Sequence, residues 1–477
     1  MLTYWIIPLP AKMGGRRFLA ALVGMFSCGT PIGLCLAGWL FAAVPGAAAE
    51  VKHDIDTPDA WHELVRQKAH SLTGPDDLDP LITQAGQRDL VLMGEATHGS
   101  HEFYVWRDQL SRRLITEQAF NFVAVEGDSA ALARLNDYVQ GRGDKFVHAA
   151  DVLRTFMRWP AWMWRNREFA EFAEWLRAFN MQRPAEERAG LVGMDIYDPW
   201  AALDALLTLL QRHRPERAAG FAAQLACFAR LGESAETHAQ APAELAADCL
   251  EALRTAEAAL NSDVANWPAN TTFRYEEAQR HMRVVANAAS DYRASSDAAS
   301  WNLRASHMWQ VLAAHLEGGS ASGKRRRGIV WAHNSHIGDA YYTGLGVLGM
   351  HNVGQLSRNA LGMHRVYSIG LATSQGRTIA AAAWGETPGI TPLAPAHPNS
   401  LEALLLQTSD AAKPDWWLTF SQSERDNMAL NQTLGHRGIG VVYLPEQDAL
   451  YYLPTRVPWR YDALIYLLET TPLQLID

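Results

Sequence analysis

Cysteine is scarce in this chain: four residues in 477, two of which, Cys28 and Cys35, fall in the N-terminal apolar stretch. The other two, Cys227 and Cys249, lie in helix-like sequence, which argues against a cysteine nucleophile. Basic excess is also missing. The formal net charge is −9, and the one dense cationic run, Lys324 to Arg327, reads as a solvated loop, so nucleic acid is not an expected partner. No G-x-S-x-G elbow occurs, which removes the usual signal for a serine hydrolase. No H-E-x-x-H occurs either, which removes the commonest zinc-protease pattern. Internal repeats are absent, and low complexity is confined to alanine-rich helices.

One long apolar stretch is present, at the N-terminus. Lys12, Arg16 and Arg17 precede an apolar run from Phe18 to Val44, and Ala47-Ala48-Ala49 follows. This is the order of an export signal, with cleavage expected after Ala49. The run is long enough to serve instead as an uncleaved membrane anchor, although Pro31 and several glycines weaken that reading. Residues 1–49 are therefore expected to be a signal peptide or N-terminal anchor, and the rest of the chain periplasmic or secreted. In an oxidising compartment Cys227 and Cys249 either pair between two antiparallel helices or remain as buried thiols.

Residues 50–477 are expected to form an α/β domain with a mostly parallel central sheet flanked by helices. Residues 57–88 read as one helix and a turn. Short apolar runs then alternate with helical segments: Leu90 to Glu95, Phe122 to Gly127, Leu191 to Asp195 and Gly328 to His333. Further strands are expected at Val366 to Ala372, Gly440 to Leu444 and Asp462 to Leu468. Residues 199–316 show no strand signal and read as a large helical insertion.

The first four runs each end on an acid or a histidine: Glu95, Glu126, Asp195 and His333. Ligands of open α/β sheets sit beyond the carboxyl ends of the strands, so these four positions are candidates for chemistry. The first loop reads G-E-A-T-H-G over Gly94 to Gly99, with the two glycines expected to serve a tight turn. Glu95 can fix the tautomer of His98, as a general base requires. A helix starting near Ser100 or His101 carries Arg107, whose side chain is expected to lean back toward that loop to bind a carboxylate or a developing oxyanion. His101 reads as a surface or supporting residue. His333 and His336 stand three apart on the fourth strand's exit turn. They either hydrogen-bond the substrate or ligate a metal together with Glu95, Glu126 or Asp195. The segment Trp159 to Trp164 either packs helices on the sheet or borders an apolar substrate.

These motifs resemble the erythromycin esterase family. The resemblance rests on G-E-A-T-H-G at 94–99, Arg107 nine residues after His98, V-x-V-E-G-D at 123–128 and G-M-D at 193–195. It continues through N-L-R at 302–304, A-H-N-x-H at 332–336, V-V-Y-L-P-E at 441–446 and D-A-L-I-Y at 462–466. It implies a hydrolase that opens a macrolide lactone or another ester with a histidine-activated water, without cofactor. By position His98 matches the base, Glu95 and Glu126 the orienting carboxylates, and Arg107, His333 and His336 the remaining polar groups. Asp195 and Arg304 are expected to bind substrate. The alternatives are a metal-dependent hydrolase on the same residues and a non-catalytic periplasmic ligand-binding protein.

Overall fold

The computed structural model describes residues 57–477 except 144, 269–270, 319–324 and 409–413; the N-terminal apolar stretch and part of the cationic run lie outside the described residues. Eleven strands are present among them. In chain order these are β1 (His70–Ser71), β2 (Leu90–Met93), β3 (Phe122–Asp128), β4 (Gly190–Asp195), β5 (Gly328–Trp331), β6 (Val366–Ala380), β7 (Gly389–Pro392), β8 (Trp416–Thr419), β9 (Leu434–Arg437), β10 (Tyr452–Thr455) and β11 (Ala463–Thr470). The main sheet runs β1-β8-β11-β6-β2-β5-β3-β4, with β7 paired to β6. From β11 to β4 every pairing is parallel; β8, β1 and β7 join antiparallel at the margins. β9 and β10 form a separate antiparallel pair.

The parallel strands are apolar on both faces because both are covered. Alternate residues point to opposite sides, so Val91, Met93, Val123 and Trp331 enter one core with the helices His101–Gln118 and Arg167–Met181. Leu90, Leu92, Ala124 and Val330 enter the other, against Trp61 and the helix Asp297–Glu317. The alternation fixes the register, because a one-residue slip would exchange the two cores.

Between β4 and β5 the chain is helical. Five helices from Pro199–His213 to Thr272–Asp291 close around a third core of their own, containing Leu206, Phe228, Leu253 and Met282. The sixth, Asp297–Glu317, instead covers the sheet through Met308, Val311 and Leu312. Cys227 and Cys249 are disulfide-bonded, with Cα atoms 5.4 Å apart, and staple two helices of the third core. A cross-link spanning 22 residues removes denatured-state entropy equivalent to about 3 kcal/mol. Reduction, or the Cys227→Ser/Cys249→Ser pair, should therefore lower the unfolding free energy of this helical unit by that order and its urea midpoint with it; an unchanged midpoint would mean that the helices hold without the staple.

Three expectations need correction. Gly440 to Leu444 is not a strand. It is an irregular segment with one bridge, Ala381 to Val442, because it meets the chain just beyond the end of β6 and pairs there with a single residue. Residues 57–88 are not one helix and a turn: Thr57–Lys68 is followed by β1, a short 3-10 turn and a second helix, Asp79–Ala85. The strand expected at 366–372 runs on to Ala380, well past the sheet's middle.

Candidate active site

Four neighbouring strands, β2, β5, β3 and β4, deliver Glu95, His333, Glu126 and Asp195 to the same edge of the sheet. A cavity of about 260 Å3 opens there, with His98, Glu126, Asp195, Arg304, His333 and His336 in its wall. Glu95 and Arg107 do not reach the cavity; they stand behind His98.

The loop after β2 is held by close approach. A side chain at Gly94 would bring its Cβ within 1.9 Å of Asn334 Oδ1, and one at Gly99 within 2.0 Å of the Ile379 carbonyl. Neither glycine has a positive φ, so close approach, and not turn geometry, selects them. Within the loop, His98 Nδ1 lies 2.8 Å from Glu95 Oε1. The other carboxylate oxygen meets Arg107 Nη2 at 2.7 Å. Arg107 is fully buried, and its guanidinium stacks over Tyr104 and Trp331 at 4.3 and 5.0 Å. The carboxylate that Arg107 meets is thus the protein's own. An ionised Glu95 accepts the Nδ1 proton, so neutral His98 keeps its lone pair on Nε2.

The turn after β5 presents His333 in the opposite sense. Its Nδ1 accepts from the Ser335 backbone N–H at 3.2 Å and contacts Ser335 Oγ at 2.8 Å. The ring proton therefore sits on Nε2, which lies near the Ala96 backbone without making a full hydrogen bond. Burial and the neighbouring His98 hold the His333 pKa well below its usual value, so the ring stays neutral and acts as a donor. The His98 and His333 rings are 4.9 Å apart, centre to centre.

Arg304, from the helix Asp297–Glu317, ties the acids together. It grips Asp195 through Nε and Nη2 at 2.9 and 2.7 Å, meets Glu126 Oε1 at 2.8 Å and His336 Nε2 at 3.0 Å. Its contacts to the two acids use three of its five N–H donors, and the His336 Nε2 proton faces Glu126. The second Glu126 oxygen accepts the His333 backbone N–H at 2.9 Å. His336 Nε2 also lies 3.2 Å from Glu126, and its ring stacks on Trp301. Burial pushes the Glu126 carboxyl up, but His336 and the Arg304 guanidinium outweigh it and hold the group well below the carboxylate range. Asp195 is likewise pushed up by burial and brought below its usual value by Arg304. Both groups bind fewer protons folded than unfolded, so their stabilisation is complete above the unfolded values of about 4 and is lost as the pH falls through the lower folded values. The urea midpoint should hold toward pH 5 and drop below about pH 4; a midpoint independent of pH down to 3 would contradict this linkage.

Several wall residues carried no earlier assignment. Tyr197 follows Asp195 by two residues and Trp301 precedes Arg304 by three on one helix face, so both were within reach of the sequence. Arg158 pairs with Asp128 at 2.7 Å and belongs to the tryptophan segment. That segment divides: Met163 and Trp164 border the cavity, while Trp162 packs in the core. Trp384 had no sequence signal. His101 is half-buried, bonded to Glu168 at 2.6 Å, and stands apart from the cavity. Among the described residues no group of three or more His, Cys, Asp or Glu side chains has metal-binding geometry. The acids are committed to arginines: Glu95 to Arg107, Glu126 and Asp195 to Arg304.

Known proteins share this fold. A protein described as a succinoglycan biosynthesis protein shares the fold at a TM-score of 0.71 and 18% identity, over 87% of this chain and 98% of that one. A Bacillus cereus protein matches at 0.72 and 17%, over 88% and 99%. A mutant of the erythromycin esterase EreC, solved in its open conformation, matches at 0.59 and 15%, over 85% and 96%. At these identities the likeness is one of fold. The family description "erythromycin esterase" matches residues 115–470, and with that span of the sequence matched the chain belongs to the erythromycin esterase family of hydrolases.

Proposed function

We propose that the protein hydrolyses a carboxylic ester, a macrolide lactone being the first candidate, by direct attack of a water that His98 activates. The observation that carries this reading is the Glu95–His98 contact, which leaves an imidazole lone pair on a cavity-lining residue. In the proposed step His98 Nε2 takes a proton from water as its oxygen bonds to the acyl carbon. The carbonyl oxygen becomes an oxyanion, which His333 Nε2–H is suited to receive, with the charge of the Arg304 guanidinium in the same wall. Collapse breaks the acyl carbon–alkoxy oxygen bond, and the protonated His98 returns its proton to the leaving oxygen. The products are an acid and an alcohol, or one hydroxy acid from a lactone. Glu95 and Arg107 act as positioning residues: Arg107 anchors the Glu95 carboxylate and Glu95 holds His98 in the reactive tautomer.

Export is part of the proposal. The N-terminal apolar stretch and the Cys227–Cys249 disulfide both suit a chain that matures in an oxidising compartment. Among the described residues no helix is long and apolar enough to cross a membrane.

A second reading, a Ser335 nucleophile, draws on its 2.8 Å contact with His333 Nδ1. The Ser335 backbone N–H occupies the same lone pair, which makes His333 a poor base for it. The deciding experiment incubates the purified protein with a 14-membered macrolactone and with simple esters and reads products and protein by mass spectrometry. The water reading expects addition of one water to the substrate and no acyl adduct on the protein. Ser335→Ala should lose one hydrogen bond to His333 and no more than about tenfold in rate. An acyl adduct, or a dead Ser335→Ala, would establish the serine route instead.

A further inference from the structure

The cavity that holds the reactive groups is small, and one side of its mouth, away from the exposed Arg134, carries large apolar side chains. A volume of about 260 Å3 falls below the roughly 300–1,000 Å3 of sites that enclose drug-sized ligands. It suffices for an ester group and its nearest substituents; a larger body must lie across the opening. Two large apolar side chains line the cavity while standing in solvent: Met157 is 78% exposed and Trp384 38%. Trp384 sits on the turn between β6 and β7, far in sequence from Met157, yet it is fastened to that side of the mouth. Its ring meets Trp159 edge-on at 4.4 Å, and Trp159 Nε1 donates to the Glu386 carbonyl at 2.9 Å. A third contribution comes from the turn after His336: Leu345 lines the cavity, and the following Val347 and Leu348 are exposed by 88% and 46%. Exposed large apolar residues gathered at one opening mark a surface meant to be covered, and an exposed indole is well suited to an apolar, polycyclic or macrocyclic face.

We infer that Trp384 and Met157 form the specificity rim of this site, selecting esters whose body is bulky and apolar by holding that body at the mouth while the scissile bond reaches His98. The inference rests on the hydrolase reading for the word ester, but the rim's affinity does not depend on turnover. The test therefore reads binding and hydrolysis separately. Calorimetric titration uses two non-hydrolysable ketones, one carrying a naphthyl body and one a methyl group, against the unmodified protein, Trp384→Ala and Trp384→Phe. The unmodified protein should bind the naphthyl ketone at least about tenfold more tightly than the methyl ketone, a difference of about 1.4 kcal/mol. Trp384→Ala should reduce that ratio to within about twofold, and Trp384→Phe should restore most of it. Trp384 lies on an exposed turn, and circular dichroism verifies that the variants fold. A ratio near one in the unmodified protein, or one that survives in Trp384→Ala, overturns the rim. Turnover of the matching esters is measured alongside. Loss of the ratio in Trp384→Ala with no ester cleaved by any form would retire the hydrolase reading and keep the rim.

Discussion

His98→Ala should lower kcat/KM by about three orders of magnitude or more while leaving the fold intact. General acid–base groups contribute about 10²–10⁴-fold, and in the proposed mechanism His98 serves twice, first taking the proton of water and then returning it to the leaving oxygen. The structural cost is small for a residue this buried. Its side-chain hydrogen bond goes to Glu95, and Glu95 keeps its ion pair with Arg107 when the imidazole is gone. Melting within a few degrees of the unmodified protein, with turnover absent, is the expected pair of results. Glu95→Gln gives a graded companion: the amide oxygen still accepts from Nδ1, but the charge that favours that tautomer is lost, and the fall should be smaller than that of His98→Ala. Turnover retained within tenfold in His98→Ala would remove the base from the mechanism. Free imidazole added to His98→Ala offers a further reading, since a soluble base entering the vacated space should restore part of the rate.

Arg304→Met is expected to be the most destabilising single change at the site. It strands two carboxylates, Glu126 and Asp195, that are 6% and 2% exposed and share this guanidinium. Removing one partner of a buried ion pair costs about 3–5 kcal/mol, most of it the penalty for the charge left behind. Adding Glu126→Gln and Asp195→Asn to Arg304→Met should recover much of the lost stability, because the neutral amides no longer need the cation. The measurement is the urea midpoint of the sheet domain at pH 7 for the single and triple variants. If the triple variant is no more stable than the single, packing rather than stranded charge explains the loss. Activity should vanish in both, as Glu126 also fixes the His333 backbone through its second oxygen.

The strand-end acids and histidines were legible because a buried parallel strand is a continuous apolar run, and the first polar residue after it has nowhere to go but the sheet's edge. Leu90 to Glu95 and Gly328 to His333 show this directly. Arg107 was legible from helix geometry, and the structure places its side chain on Glu95 as the tilt requires. What the sequence withheld was the division of labour. Nothing in G-E-A-T-H-G says that Glu95 stands behind the cavity, nor that Asp195 and Arg304 spend their donors and acceptors on one another; those facts depend on which strands are neighbours, and β5 inserts between β2 and β3 after a detour of two hundred residues. β8 was missed because Trp416–Thr419 is only four residues long, even though Pro414 and Asp415 bound it. Gly440 to Leu444 failed for the opposite reason: an apolar, β-branched run lies flat across other elements without joining a ladder.

β6 ties two of these features to one support. Its first half is clamped between β2 and β11, and its second half bonds the Gly99 carbonyl through the Ile379 N–H at 3.0 Å, with Thr378 reaching Thr97 at 3.1 Å. Beyond Ala380 the same strand releases the turn that carries Trp384. The reactive loop and the rim are thus consecutive stations on a single rail, the first bolted to it and the second carried on the turn at its end, where Trp159 holds it. With the rim acting as proposed, changes in that turn would alter which ester bodies are held at the mouth while the loop that positions His98 stays where it is.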